Sequence, residues 1–150
     1  MSLRIPPVAQ FLACAILAWG LAKLLPQPTF GSPIWAYVGY GFISTGAILL
    51  MFAVLAFVRV RTTVNPLSPE QAKTLVTTGL YRFTRNPMYL ALALILIGGA
   101  LALGSIAALA APAIFVYAMT VLQIKPEERA LQSIFGEAFS AYRKQTRRWL

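Results

Sequence analysis

Hydrophobic and polar positions along this chain fall into long blocks rather than into a short-period alternation. Charge-free intervals run from Arg4 to Lys23, from Lys23 to Arg59 and from Arg85 to Lys125. A helix that crosses the hydrocarbon core of a bilayer needs roughly 20 apolar residues. Each of the first two intervals therefore predicts one span, and the last is long enough for two. Gly104-Ser105 is the natural turn inside that last interval. The pattern predicts an all-α polytopic membrane protein with four transmembrane helices, near 8–25, 34–58, 87–103 and 106–124, in a single domain over 1–150.

The segments between the blocks predict the rest. Residues 27–33, Gln-Pro-Thr-Phe-Gly-Ser-Pro, form a short outer turn, and Trp35, Tyr37 and Tyr40 follow as an interfacial aromatic belt. Gly39, Gly41 and Gly46 suit close helix approach. The cytoplasmic connection 59–86 holds a helix start at Ser68-Pro69-Glu70-Gln71, with Ser as cap and Pro in first place. Its β-branched stretches, Thr62-Thr63-Val64 and 74–78, suit extended chain. A connection of this length in a compact domain is usually functional or disordered, and its Arg, Thr and Tyr content favours function.

Residues 126–150 predict an amphipathic helix. With Leu131 as zero on a helical wheel, Ile134, Phe135, Ala138, Phe139 and Tyr142 fall within about 80° of it. Arg129, Glu137, Arg143, Lys144, Arg147 and Arg148 fall on the opposite side, so such a helix lies along the interface with its basic face toward water.

Composition agrees with a lipid environment: 59% of the 150 residues are hydrophobic and 11% are charged, against about 25% charged in soluble domains. With four spans, twelve of the 13 basic residues fall on one side of the membrane and Lys23 alone on the other. The positive-inside rule then places both termini in the cytoplasm, as in a bacterial inner membrane. The net charge of +9 follows from that rule and from attraction to anionic headgroups. It does not require nucleic acid, because no basic segment stands free of the membrane. The first span reads as a retained helix rather than a cleaved signal peptide. Cys14 is alone, so there is no disulfide framework, and the chain holds neither His nor Asp. Imidazole catalysis and most zinc or di-iron sites are thereby removed, and chemistry must run on four Glu residues, Tyr and Arg, or on a bound cofactor.

Two polar clusters flank the hairpin of the third and fourth spans, and both meet one surface if the hairpin crosses and returns. The first is Gly79-Leu80-Tyr81-Arg82-Phe83-Thr84-Arg85-Asn86-Pro87-Met88-Tyr89. Asn86 as N-cap and Pro87 in first position make a good helix start, with Tyr89 as an interfacial anchor. The same helix N-terminus also offers free N–H groups and positive potential to a carboxylate or phosphate, to which Arg82 and Arg85 add. The second cluster is Lys125-Pro126-Glu127-Glu128-Arg129. Acidic residues suit a helix N-terminus, yet Glu127 and Glu128 both lean toward the apolar face, where carboxylates need an internal Arg or a bound cation as partner.

The joint pattern Gly79-x-Tyr81-x-x-x-Arg85-Asn86-Pro87-Met88-Tyr89, a hydrophobic hairpin, then Pro126-Glu127-Glu128-x-x-Leu131-x-x-x-Phe135-Gly136-x-x-Phe139-x-x-Tyr142 resembles the isoprenylcysteine carboxyl methyltransferase and phospholipid methyltransferase superfamily. The resemblance covers roughly 65–150. It implies an integral-membrane methyltransferase that uses S-adenosylmethionine, with the cofactor at the cytoplasmic end of the last two spans under the C-terminal helix. The positions carried over are Tyr81, Asn86, Pro87, Tyr89, Glu127 and Glu128 for the cofactor, with Arg85 and Tyr89 as catalytic candidates. Asn86 stands where eukaryotic members carry His, and Phe139 where the aromatic is often Tyr. The implied partners are the bilayer and a lipid-like or small hydrophobic acceptor. Any pocket above the cofactor, among Met88, Leu92, Ile95, Leu96, Phe115 and Tyr117, should be apolar. A related group with similar C-terminal motifs makes an NADPH-dependent lipid or steroid reductase the alternative enzyme, and a non-catalytic membrane scaffold is the third reading.

Overall fold

The computed structural model describes residues 5–25, 30, 32–59 and 74–150. The expected helix start at Ser68-Pro69, the stretch Thr62-Thr63-Val64 and most of the outer turn 27–33 lie outside the described residues. Regular structure among the described residues is helical: α1 (Pro7–Leu24), α2 (Ile34–Arg59), α3 (Pro87–Ala102), α4 (Ala110–Ala118) and α5 (Lys125–Gln145). Short 3-10 turns at Gly79–Arg82 and Ala107–Leu109 precede α3 and α4. Residues 74–78 enter as irregular chain, extended at Thr78, rather than as a strand.

Among the described residues, three helices are long and apolar enough to cross a membrane: Pro7–Leu24, Ile34–Ala56 and the continuous run Ala107–Gln145. α3 is as apolar but has 16 residues, about 24 Å at 1.5 Å per residue, which is shorter than a bilayer core. Large side chains such as Ile16, Trp19, Tyr37, Phe52 and Tyr117 are exposed along these helices, as expected where lipid rather than water is the neighbour.

α3 packs most extensively on α2, and α1 lies against α3 and α4. Glycine permits the α2–α3 approach. A Cβ on Gly39 would sit 2.5 Å from the Gly98 carbonyl oxygen, one on Gly98 would sit 2.5 Å from that of Gly39, and one on Gly46 would meet the Ala91 carbonyl at 2.7 Å. Gly41 differs from the expectation. Nothing lies within 4 Å of a Cβ built there, because it falls on another face of the helix. The α3–α4 hairpin turns at Gly104, whose φ of +66° is a left-handed conformation open to glycine. Ser105 Oγ then accepts from the Ala108 amide at 3.2 Å, opening the next helical turn.

The main core runs through Cys14, Ala18, Tyr89, Ala93, Leu96, Ala100, Phe115, Met119 and Ile124. Leu96 and Phe115 fill this core and Tyr117 is 72% exposed, so these three do not line a shared apolar pocket. A second, smaller cluster joins Val76 and Tyr81 to Phe139 and Tyr142 of α5, with Leu131 and Phe135 against it.

The chain does not break between the fourth apolar stretch and α5. Residues Met119–Ile124 form a π-helical turn that runs directly into Lys125. Two features depart from the continuous helix expected over 126–150. α5 is kinked at Gly136, whose φ of +51° interrupts the helical geometry, and it ends at Gln145. Thr146 is extended, and residues 146–150 turn back toward the start of α3, where Thr84 and Arg147 form a parallel bridge.

Candidate active site

The turn that enters α3 is assembled by partners far away in sequence. The Arg85 amide donates to the Arg147 carbonyl at 2.9 Å, and Asn86 Nδ2 donates to the Arg148 carbonyl at 2.9 Å. Thr84 Oγ1 donates to that same carbonyl at 3.3 Å, and Thr146 Oγ1 donates to the Arg82 carbonyl at 3.3 Å. Asn86 occupies the N-cap position of α3, but its side chain makes no capping hydrogen bond. The amide is turned to the returning tail, and the Asn86 N–H is satisfied instead by Thr84 Oγ1 at 3.2 Å. Pro87 follows in the first turn with its side chain fully buried.

Arg85 is the hub. Its Nη2 donates to Glu128 Oε1 at 2.8 Å, and Nη1 donates to the Thr146 carbonyl and, at 3.3 Å, to the Arg143 carbonyl. Arg148 closes on the same carboxylate from the tail, with Nε to Oε1 at 3.0 Å and Nη2 to Oε2 at 2.7 Å. The Glu128 side chain is 10% exposed and thus has two guanidinium partners, which is what a buried carboxylate requires. The hydrogen bonds from Arg148 to Glu128 hold that guanidinium above the ordinary arginine range, against the smaller opposing effect of burial. Arg148 was expected on the wet face of a continuous helix; it faces inward because the helix has already ended at Gln145.

Glu127 faces a different neighbour. Tyr89 Oη donates to Glu127 Oε1 at 2.6 Å, and Gln123 Nε2 donates to the same oxygen at 2.8 Å. The π turn matters here, because a wider turn advances the face of all that follows. It brings buried Gln123 and half-buried Glu127 onto α3 at the level of Tyr89. Tyr81, in the 3-10 turn before α3, is buried, and its carbonyl accepts from Tyr142 Oη at 2.7 Å. Burial, reinforced by Tyr142 and Glu127 nearby, pushes the Tyr81 hydroxyl well above its usual range, so it stays a neutral donor.

The structure therefore gathers Arg85, Asn86, Pro87 and Tyr89 at the start of α3 against Glu127 and Glu128 at the start of α5, with Tyr81 packed against the second half of α5. Tyr89 pairs with Glu127, and Arg85 pairs with Glu128. Three members, Gln123, Thr146 and Arg148, are not site residues in the sequence reading. Gln123 did leave a signal, since a polar side chain at the end of an apolar run needs a buried partner. Arg148 and Thr146 left none, because their role depends on where α5 stops.

The arrangement supplies a carboxylate held by a phenol and an amide, beside a second carboxylate held by two arginines. One buried donor, Arg85 Nε, has no partner among the described residues.

Comparison with known proteins bears on what this site does. Over 63 residues the chain is 41% identical to an uncharacterized protein of Haemophilus influenzae (strain ATCC 51907 / DSM 11121 / KW20 / Rd); the match covers 42% of this chain and all of that protein. No solved structure matches. The profile of the family described as phospholipid methyltransferase matches residues 34–138, from the start of α2 into the second half of α5, and spans both polar clusters. On that match, the chain belongs to the phospholipid methyltransferase family.

Proposed function

We propose that the protein transfers a methyl group from S-adenosylmethionine to a lipid or small hydrophobic acceptor at the cytoplasmic face of the membrane. The observation that carries this reading is the meeting of the two motif halves, Tyr89 with Glu127 at 2.6 Å and Arg85 with Glu128 at 2.8 Å, inside the segment matched to a methyltransferase family. The donor set suits such a cofactor. A carboxylate beside tyrosine hydroxyls accepts an ammonium and a ribose diol, and the unpaired Arg85 Nε is a donor for a ligand acceptor. Bound there, S-adenosylmethionine would supply the electrophilic methyl carbon.

The chain's own residues would position and exclude water. Glu127, Tyr89, Tyr81 and Asn86 would hold the cofactor, and Pro87 fixes the start of α3 beside them. Arg85 and Glu128 fasten the C-terminal tail to the start of α3, which would leave bound reactants little motion to lose. A carboxylate or thiolate acceptor needs no base. An amine acceptor must lose a proton, and the Tyr89–Glu127 pair is the group placed to take it.

The reading includes a topology. α3 completes a fourth span in one domain despite its 16 residues, since a short helix is accommodated by local thinning and by snorkelling neighbours. Both termini then lie in the cytoplasm with twelve of 13 basic residues. Reporter fusions at Leu150 that are active only outside the cytoplasm would overturn this placement.

The functional test has two arms. Calorimetry in detergent should show binding of S-adenosylhomocysteine and none of NADPH. Labelled methyl groups from S-adenosylmethionine should enter extracted membrane lipids. Failure to bind S-adenosylhomocysteine would remove the cofactor assignment, and labelling of water-soluble acceptors alone would remove the lipid acceptor.

A further inference from the structure

Both halves of α5 and the returning tail border an open cleft of about 570 Å3. Tyr81, Tyr89 and Glu127 are not among its walls. Its charged lining is Lys125, Arg129, Arg143 and Arg148 with Glu128. Lys125 and Arg129 lie one turn apart on one face of α5. The break at Gly136 brings the second half of the helix round, and Gln132 Nε2 closes the corner by donating to the Gly136 carbonyl at 2.9 Å and to Ser140 Oγ at 3.0 Å. Arg143 thereby joins the cations of the first half.

The charge in this cleft is unbalanced. Glu128 is already shared between Arg85 and Arg148. Among the described residues no carboxylate pairs with Lys125, Arg129 or Arg143. Cations gathered around one hollow repel each other, and an anion between them removes that cost. Guanidinium forks and an ammonium together match the oxygens of a phosphate. The apolar wall of the cleft is Val121, one turn before Lys125 in the same helical run and, with Leu122, exposed on the apolar stretch. The cleft thus joins a cluster of cations to an exposed apolar surface, a combination that suits a ligand with a phosphate head and a hydrocarbon body.

We infer that this cleft holds the phosphate headgroup of an anionic membrane lipid, with the chain of that lipid leaving past Val121. The cleft shares the Glu128 and Arg148 walls with the junction described above, but the inference rests on Lys125, Arg129 and Arg143 and does not depend on the methyl-transfer assignment.

The test is native mass spectrometry of the full chain in detergent micelles, titrated with phosphatidylglycerol, with phosphatidylcholine of the same acyl chains, and with glycerol 3-phosphate. Phosphatidylglycerol should be retained in preference to both others. The double variant Lys125→Gln/Arg129→Gln should lose roughly tenfold or more of that retention, given the scale of the attraction between surface basic residues and anionic lipid. Both side chains are exposed, so the variant should fold. Lys144→Gln, a basic residue of α5 outside the cleft, should retain the lipid as the parent does. Equal retention by the double variant, or equal binding of phosphatidylcholine, would overturn the inference. Glycerol 3-phosphate binding as tightly as the lipid would make this a soluble phosphate site and overturn it too. Displacement of the lipid by S-adenosylhomocysteine would assign the cleft to the cofactor instead.

Discussion

The helical pair α2–α3 and the junction of α3 with α5 are held together by opposite means. Along α2–α3 the contact is backbone against backbone, made possible by Gly39, Gly46 and Gly98. Ala91 of α3, whose carbonyl faces Gly46, is fully buried in this contact. Lipid is as apolar as leucine, so helices gain nothing by merely burying large side chains; close packing through small residues has to hold them. At the α3–α5 junction the contact is made of directional bonds between named atoms: Arg85 and Arg148 on Glu128, Tyr89 and Gln123 on Glu127, Asn86 on the Arg148 carbonyl. The first region tolerates any side chain that is small enough. The second depends on which atoms are present, because most of its polar groups satisfy one another away from water. Directional polar contacts are therefore concentrated at one end of the bundle, where a scaffold held by small residues delivers two helix ends to one place.

Breaking the hub should produce the largest effect. Arg85→Ala removes one of two partners from buried Glu128 and the ties to the carbonyls of Arg143, in the last turn of α5, and Thr146, in the tail. Truncating one side of a buried ion pair costs about 3–5 kcal/mol, and the remaining Arg148 should keep this loss near the low end. Methyl transfer should be abolished and the thermal midpoint in detergent lowered. Full activity in this variant would show that the junction is not the site.

The complementary break lies in the small-residue region. Gly98→Leu forces a side chain into the Gly39 carbonyl, where even a Cβ has only 2.5 Å, and overpacking of this kind costs about 1–3 kcal/mol. The thermal midpoint should fall while the surviving folded protein still binds S-adenosylhomocysteine, since no polar contact is touched. The same change at Gly41, which meets nothing within 4 Å, should be nearly silent. Equal destabilisation at both positions would mean that close approach is not what joins α2 to α3.

These two regions also differ in how far they could be read from the sequence. The charge-free blocks placed helices at 8–25, 34–58 and 87–103, and the structure has them at Pro7–Leu24, Ile34–Arg59 and Pro87–Ala102. Hydropathy is a local property, so the chain carries it openly. The inward lean of Glu127 and Glu128 was visible for the same reason. Their partners were not all visible. A helical wheel run to Leu150 put Arg148 on the wet face, because nothing local announces that α5 stops at Gln145 and that the tail returns to residues more than sixty positions earlier. The kink at Gly136 and the π turn at Met119–Ile124 likewise shift faces in ways that a uniform 100° step cannot follow.

Glu127→Gln sharpens the comparison within the junction itself. It keeps shape and one acceptor oxygen but removes the charge facing Tyr89 and Gln123. A charge-assisted hydrogen bond is worth about 1.5–3 kcal/mol, so S-adenosylhomocysteine should bind roughly ten- to a hundredfold more weakly by calorimetry, with little change in thermal midpoint. Unchanged affinity would leave Glu127 as a structural acceptor for Tyr89 and remove it from the cofactor assignment.

The smallest effect separates two adjacent arginines. Arg147 meets Thr84 through its backbone, and its side chain is exposed. Arg147→Ala keeps the carbonyl that accepts from Arg85 and should change stability by under about 0.5 kcal/mol. Arg148→Ala also keeps its carbonyl, and so the bond from Asn86, but takes two donors from Glu128. Its side chain is 32% exposed and Arg85 remains as a partner, so the loss should be about 1–2 kcal/mol, near the value of one hydrogen bond to a charged group. Thermal unfolding of the two variants side by side decides the matter. A larger loss for Arg147→Ala would mean that α5 continues through the tail as a regular helix and that the inward turn after Gln145 is wrong. The order Arg148 above Arg147 would show the tail acting as a strap whose grip on the site passes through one side chain and through the backbone of its neighbour.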